Sequence, residues 1–235
     1  MNDKKAVKET VIRAEQLNKI YQSGEVEYQA LNSVNLEIKT GEFTAIAGPS
    51  GSGKTTLLNI LSGLDTPSSG TVWLSDKAIS QMSGNELSDF RRDKIGFIFQ
   101  SFNLIPVLNV AENVEYIMLL QGVPSAERQD RVARILSEVG LEGKQKRLPK
   151  QLSGGQQQRV AVARAMVTEP DIILADEPTA NLDSATGSAL LDLMRGLNEK
   201  FGRTFVFSTH DQMIMDRAKR LVLLKDGQIH EDQVR

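Results

Sequence analysis

Read from its N-terminal side, the chain first alternates apolar and polar positions. Val11 and Ala14 are followed by Val34, Leu36 and Ile38, with Asn35, Glu37 and Lys39 between them. This period of two over residues 11–46 predicts antiparallel strands with one wet face. The run Phe43-Thr44-Ala45-Ile46-Ala47 predicts a short buried strand ending in a glycine-rich turn, Gly48 to Gly53. Leu57, Leu58, Ile60, Leu61 and Leu64 then recur at helical spacing, so the order is strand, glycine loop, helix. From about Val110 to Gly140 the pattern is helical and polar, with Ile135, Leu136 and Val139 as its apolar stripe. Buried strands are predicted again at Ile172–Ala175 and Phe205–Ser208, around an amphipathic helix carrying Leu190, Leu191, Leu193, Met194 and Leu197. Strands alternating with helices argue for a mainly parallel sheet.

Composition narrows the function classes. At 235 residues the chain can bury a full core without staples, and with no cysteine it has no disulfides, Cys-based zinc sites or thiol catalysis. A formal charge of −2 provides no global field for nucleic acid or anionic lipid. An anionic ligand must therefore be met by local geometry. The longest apolar runs, Tyr116–Leu120 and Leu221–Leu224, fall far short of the roughly 20 residues of a membrane span. The charged stretch Met1–Glu9 has no apolar core of the kind a signal peptide requires. Direct membrane insertion, export and nucleic-acid binding are not expected.

Three motifs carry chemistry. Gly48-Pro49-Ser50-Gly51-Ser52-Gly53-Lys54-Thr55 fits G-x-x-x-x-G-K-S/T and lies between a predicted strand and helix, as a phosphate-binding P-loop requires. Its glycines let backbone N–H groups turn inward, Lys54 reaches the β/γ oxygens, and the Thr55 hydroxyl can ligate Mg²⁺. Ile172–Ala175 then delivers Asp176 and Glu177 to the carboxyl end of a buried strand, the edge where ligands of open α/β sheets collect. There Asp176 can hold Mg²⁺ through water and Glu177 can polarise an attacking water. Leu152-Ser153-Gly154-Gly155-Gln156 precedes an Ala/Arg/Val-rich helix, making a second helix N-terminus suited to an anion.

With these residues in order, the chain resembles the nucleotide-binding subunit of an ATP-binding cassette (ABC) transporter, over roughly residues 11–230. The resemblance implies an α/β fold: a P-loop NTPase (RecA-like) core with a mainly parallel sheet, an N-terminal antiparallel β subdomain and a helical signature-motif subdomain over about residues 101–165. Residues 1–235 would form one such domain, with 1–10 as a tail. ATP and Mg²⁺ are the implied cofactors. Tyr21 matches the aromatic that stacks on adenine, and Thr56 follows the P-loop residues that hold the phosphates. Gln100 matches the glutamine that touches Mg²⁺ and the attacking water. His210, in Ser208-Thr209-His210-Asp211, matches the histidine that contacts the γ-phosphate. Asn181-Leu182-Asp183 resembles the loop by which each subunit reaches its partner, although Asp183 also suits a helix N-cap.

In the family, two copies sandwich two ATP molecules head to tail. Ser153, Gly154, Gly155 and Gln156 of one copy close on the phosphate bound by the other, so a homodimer is implied. The apolar loop Ser101–Val107 matches the region that receives a helix from a membrane permease. Arg91-Arg92-Asp93-Lys94 reads instead as a solvated helix face. The text around Tyr21, Phe102–Pro106 and Glu177–Asp183 resembles the branch of lipoprotein-releasing, macrolide-export and cell-division ATPases. That branch implies work at the cytoplasmic face of the inner membrane, in mechanotransmission, extraction or envelope signalling. A DNA-repair ATPase would need a long coiled-coil insert between Lys54 and Asp176, and no sustained heptads occupy that gap.

Overall fold

The computed structural model describes residues 9–24 and 26–235. Most of the tail expected at the N-terminus lies outside the described residues. In chain order the elements are β1 (Thr10–Ser23), β2 (Val26–Lys39), β3 (Phe43–Ala47), α1 (Lys54–Leu61), β4 (Ser69–Leu74), β5 (Lys77–Ala78) and α2 (Gly84–Lys94). There follow β6 (Ile95–Ile98), α3 (Val110–Leu120), α4 (Ser125–Glu138), α5 (Gly154–Met166), β7 (Ile172–Asp176) and α6 (Ser184–Phe201). The chain closes with β8 (Thr204–Thr209), α7 (Gln212–Arg217), β9 (Arg220–Lys225) and β10 (Gln228–Val234).

Two sheets result, and the alternating opening divides between them. β1 and β2 pair antiparallel in a four-stranded sheet ordered β2-β1-β4-β5, and alternate residues of β2 from Val34 onward are buried. β3, buried at all five positions, leaves that sheet for a six-stranded one ordered β10-β9-β3-β8-β7-β6. Within it β9, β3, β8, β7 and β6 run parallel. A strand covered on both faces has no polar position to show, which is why these segments read as continuous apolar runs.

The two faces of the parallel sheet carry separate cores. Phe43, Ala45, Ile173, Ala175, Phe205 and Phe207 face α3–α6, while Ile46, Leu174, Val206 and Val222 face α1 and the antiparallel sheet. Phe43 anchors the first core against Phe207, with ring centroids 4.6 Å apart, an aromatic pair that adds to its area burial. Fully burying side chains of this size contributes roughly 1.5–3 kcal/mol each.

Several elements escape the pattern. α2, β4 and β5 are short or polar; at the start of α2 the Glu86 carboxylate accepts from Ser83 N at 3.0 Å and from Ser83 Oγ at 2.6 Å. Its last turn is less solvated than its charges imply, because Arg91 reaches inward to donate to the Gly63 carbonyl. The helical stretch predicted from Val110 breaks into α3 and α4 at Gly122, whose φ of 74° favours glycine. β10 lies in a polar tail, yet it pairs antiparallel with β9. Backbone pairing at an edge demands no apolar side chains, and Arg220 fastens the pair through two 2.7 Å bonds to Asp232. Among the described residues no helix is long and apolar enough to cross a membrane.

Candidate active site

The parallel sheet assembles the site through its strand order. Neighbouring strands β3, β8, β7 and β6 end at one edge. The P-loop, His210, Glu177 and Gln100 follow those ends respectively. Four segments far apart in sequence thus arrive side by side, at the carboxyl edge where α/β sheets collect ligands.

The P-loop has steric reasons for its glycines. A Cβ on Gly48 would lie 2.0 Å from the Leu224 carbonyl oxygen, and one on Gly53 would lie 2.4 Å from that of Ala30. Gly51 and Gly53 also take φ of 80° and 99°, conformations that favour glycine. α1 begins directly after Gly53 with no side-chain cap, so its first N–H groups and its positive dipole end face the loop. Buried Lys54 donates to the carbonyls of Gly48 (2.8 Å) and Pro49 (2.9 Å). The buried Ser52 hydroxyl has no hydrogen-bond partner, an orphaned group that a phosphate oxygen would satisfy. Pro49, Ser50 and Gly51 are at the surface or partly so, and Thr56 continues α1 one residue past Thr55.

Thr55 Oγ1 donates to Asp176 Oδ1 at 3.2 Å, joining the P-loop helix to the end of β7. Two hard oxygens beside a phosphate cradle fit Mg²⁺, which usually takes one or two protein oxygens and completes its shell with phosphate and water. Gln100 stands two residues beyond the last paired position of β6, opposite the segment where Asp176 and Glu177 leave β7. Its carbonyl accepts a 2.8 Å bond from Asn181 Nδ2, which ties it to the loop after Glu177.

Glu177 is the most constrained of these residues. Its φ is 44°, sparsely populated for a residue with a side chain and sustained only where the surroundings hold it. Its N–H donates to Ser208 O at 2.9 Å. Oε1 lies 2.7 Å from His210 Nδ1, and Oε2 accepts from Thr209 Oγ1 at 3.3 Å. The carboxylate is largely covered whereas the imidazole is open, at 12% and 64% side-chain exposure. The carboxylate is thereby held in one orientation while most of the imidazole surface stays open.

Tyr21 sits within β1, its hydroxyl donating to Asp65 Oδ2 at 2.8 Å while Lys19 Nζ stands 4.8 Å from its ring centroid. Burial and the Asp65 bond raise the Tyr21 phenol above its ordinary value. Burial opposes ionisation of Asp65, but bonds from Lys19 and Tyr21 outweigh it and hold the carboxyl below its usual range. Tyr28, which the motifs do not single out, faces Tyr21 across the hairpin and lines a pocket of about 200 Å³ with Gly51, Gly53, Lys54, Thr55 and Thr56. Its hydroxyl donates to Gly51 O at 3.0 Å. Pairing the two predicted antiparallel strands in this register, Tyr21 opposite Tyr28, is the signal that finds it.

The signature residues stand at the start of α5. Ser153 Oγ accepts from Gln156 N at 3.3 Å and Gln156 Oε1 accepts from Ser153 N at 3.2 Å, a capping box. Gly155 has no room for a side chain, since a Cβ would lie 2.4 Å from Thr186 Cγ2; Gly154 has ordinary clearance. Asp183 caps α6, accepting from Thr186 N at 2.9 Å and Thr186 Oγ1 at 2.7 Å. The Thr186 bonds hold its carboxyl below the ordinary aspartate value.

A P-loop fold, an acid pair at the sheet edge and a separate capped signature helix define a nucleotide-binding ATPase cassette. The profile described as ABC transporter matches residues 31–180. An uncharacterized ABC transporter ATP-binding protein of Methanocaldococcus jannaschii, MJ1508, is 49% identical over 94% of this chain and 98% of its own length. The macrolide export ATP-binding/permease protein MacB of Brucella melitensis is 44% identical over 94% of this chain, which spans only 34% of MacB. Among solved structures, the dimeric post-hydrolysis state of the cassette MJ0796 bound to ADP and Pi superposes with a TM-score of 0.87 at 44% identity, covering 95% of this chain and 98% of that one. The chain belongs to the ABC transporter family, as an ATPase cassette.

Proposed function

We propose that this chain is the ATP-hydrolysing cassette of a membrane transporter and works as a head-to-tail homodimer on a separate permease. The observation that carries the reading is the fixed Glu177 carboxylate, held by His210 Nδ1 at 2.7 Å and Thr209 at 3.3 Å beside the P-loop edge. In this reading Gly48–Thr56 wraps the phosphates and Lys54 exchanges its carbonyl partners for β/γ oxygens. Tyr21 and Tyr28 flank the base. Thr55, Asp176 and Gln100 would hold Mg²⁺, whose charge would offset that of the phosphates. Glu177 accepts a proton from the attacking water, and His210 turns from the carboxylate toward the γ-phosphate.

Ser153, Gly154, Gly155, Gln156 and Asp183 stand at the starts of α5 and α6, not on the P-loop, and complete the site of a second copy. MJ0796 forms a dimer in its ADP and Pi complex, which supports that arrangement. A groove of about 560 Å³ lined by residues including Phe97, Asn103, Ile105, Tyr116 and Leu120 supports docking of a permease helix beside Gln100. Likeness to MacB favours a mechanotransmission or macrolide-export type of permease, with the cassette at the cytoplasmic face of the inner membrane. The test is turnover per chain against protein concentration. It is expected to rise with concentration until dimers saturate; a flat dependence down to the most dilute samples contradicts the dimeric site.

A further inference from the structure

Gln158 is wholly buried in α5, and its chemistry is unusual for such a place. Its Nε2 donates to the carbonyl of Pro178 at 2.8 Å, while its Oε1 has no hydrogen-bond partner. A buried amide with one end unsatisfied is costly, and an apolar residue of similar volume would fill the space without that penalty. The bond it does make falls on the peptide just beyond Glu177, where the backbone is strained at a φ of 44°.

The surroundings make this contact a rigid one. Thr179 is buried and donates to Asp211 Oδ2 at 2.9 Å, so the Glu177-Pro178-Thr179 corner is gripped by α5 on one side and the α7 cap on the other. The first turn of α5 also abuts α6 at the glycine contact of Gly155 with Thr186. The Gln158 bond thus joins α5 directly to the Pro178 carbonyl, one residue from Glu177.

We infer that Gln158 is a positioning residue: it ties the signature helix to the Pro178 carbonyl, one residue past Glu177, so that engagement of α5 by the partner subunit's ATP adjusts this chain's own carboxylate. The inference rests on the proposed roles of Glu177 and of the signature residues. It deepens them by naming the side chain that links one nucleotide site to the other. The unsatisfied amide persists because the donor half of the same group serves this tie.

The test is a double-mutant cycle in the full chain with MgATP, pairing Gln158→Met with Glu177→Gln. Methionine keeps the length and volume of the side chain but cannot donate. Displacing a reacting group by a fraction of an ångström or more supports an expected fall in kcat of about 10-fold, with KM within about 2-fold. In the Glu177→Gln background, single-turnover hydrolysis should be unchanged by Gln158→Met, because the two residues act in series. Unchanged kcat, a loss appearing in KM, or the same loss in both backgrounds would overturn the inference. Should methionine unfold the chain, Gln158→Asn, which retains the amide but falls one methylene short, provides the same cycle. Wild-type turnover by Glu177→Gln alone would instead remove the catalytic reading on which the inference stands.

Discussion

Helix α1 starts after Gly53 with no side chain on its first N–H groups, whereas α5 starts at Ser153 with a closed capping box. Both are glycine-rich helix starts, and in sequence both read as anion sites. The first leaves its donors, Lys54 and an orphaned Ser52 hydroxyl around one cradle. The second has already satisfied two of its backbone N–H groups internally. An open terminus with a lysine can hold phosphate by itself; a capped one, with two of its N–H groups already engaged, has fewer donors to offer and suits an anion held elsewhere. The difference sets an order of events in the proposed cycle: ATP binds one chain first, and the second chain closes on it afterwards.

Breaking the chemistry that both halves serve should have the largest effect. Glu177→Gln is expected to lower kcat by roughly 10²–10⁴-fold, as loss of a general base typically does, with ATP binding retained in equilibrium titration. Lys54→Ala breaks the self-sufficient half. Hydrogen bonds to charged groups contribute about 1.5–3 kcal/mol, so ATP affinity should fall roughly 10- to 150-fold.

Ser153→Ala breaks the other half alone. ATP binding to the single chain should stay within about 2-fold while the ATP-driven dimer weakens roughly 10-fold, as expected for one hydrogen bond to a charged group. Equal losses in both would erase the distinction between the two helix starts. The smallest effect sharpens the first half: Tyr28→Phe removes the hydroxyl bonded to Gly51 O. A net hydrogen bond of about 0.5–1.5 kcal/mol predicts a 2- to 12-fold loss of ATP affinity, measurable by calorimetry.

What the sequence made legible follows the same division. Motif residues that act through backbone, such as Gly48, Gly53 and Gly155, were readable because only glycine fits where they sit. Buried strands were readable from continuous apolar runs, and Asp183 was readable as a cap. Tyr28, Thr209 and Gln158 were not, because their roles depend on which segments the fold brings together: the hairpin register, the end of β8 beside β7, and α5 against the residues after Glu177. β10 was missed for a different reason. Its pairing is a backbone property, and its side chains carry no apolar signal.

In the proposed cycle one half of the site is complete in a single chain and the other half is supplied by a second copy. Sedimentation of the Glu177→Gln chain with and without MgATP tests it most directly. A 25.9 kDa species is expected without nucleotide and one of twice that mass with it, the shift being weakened when Ser153→Ala is added. A chain that binds ATP yet remains at the monomer mass, or a Ser153→Ala variant that dimerises as tightly, would contradict it.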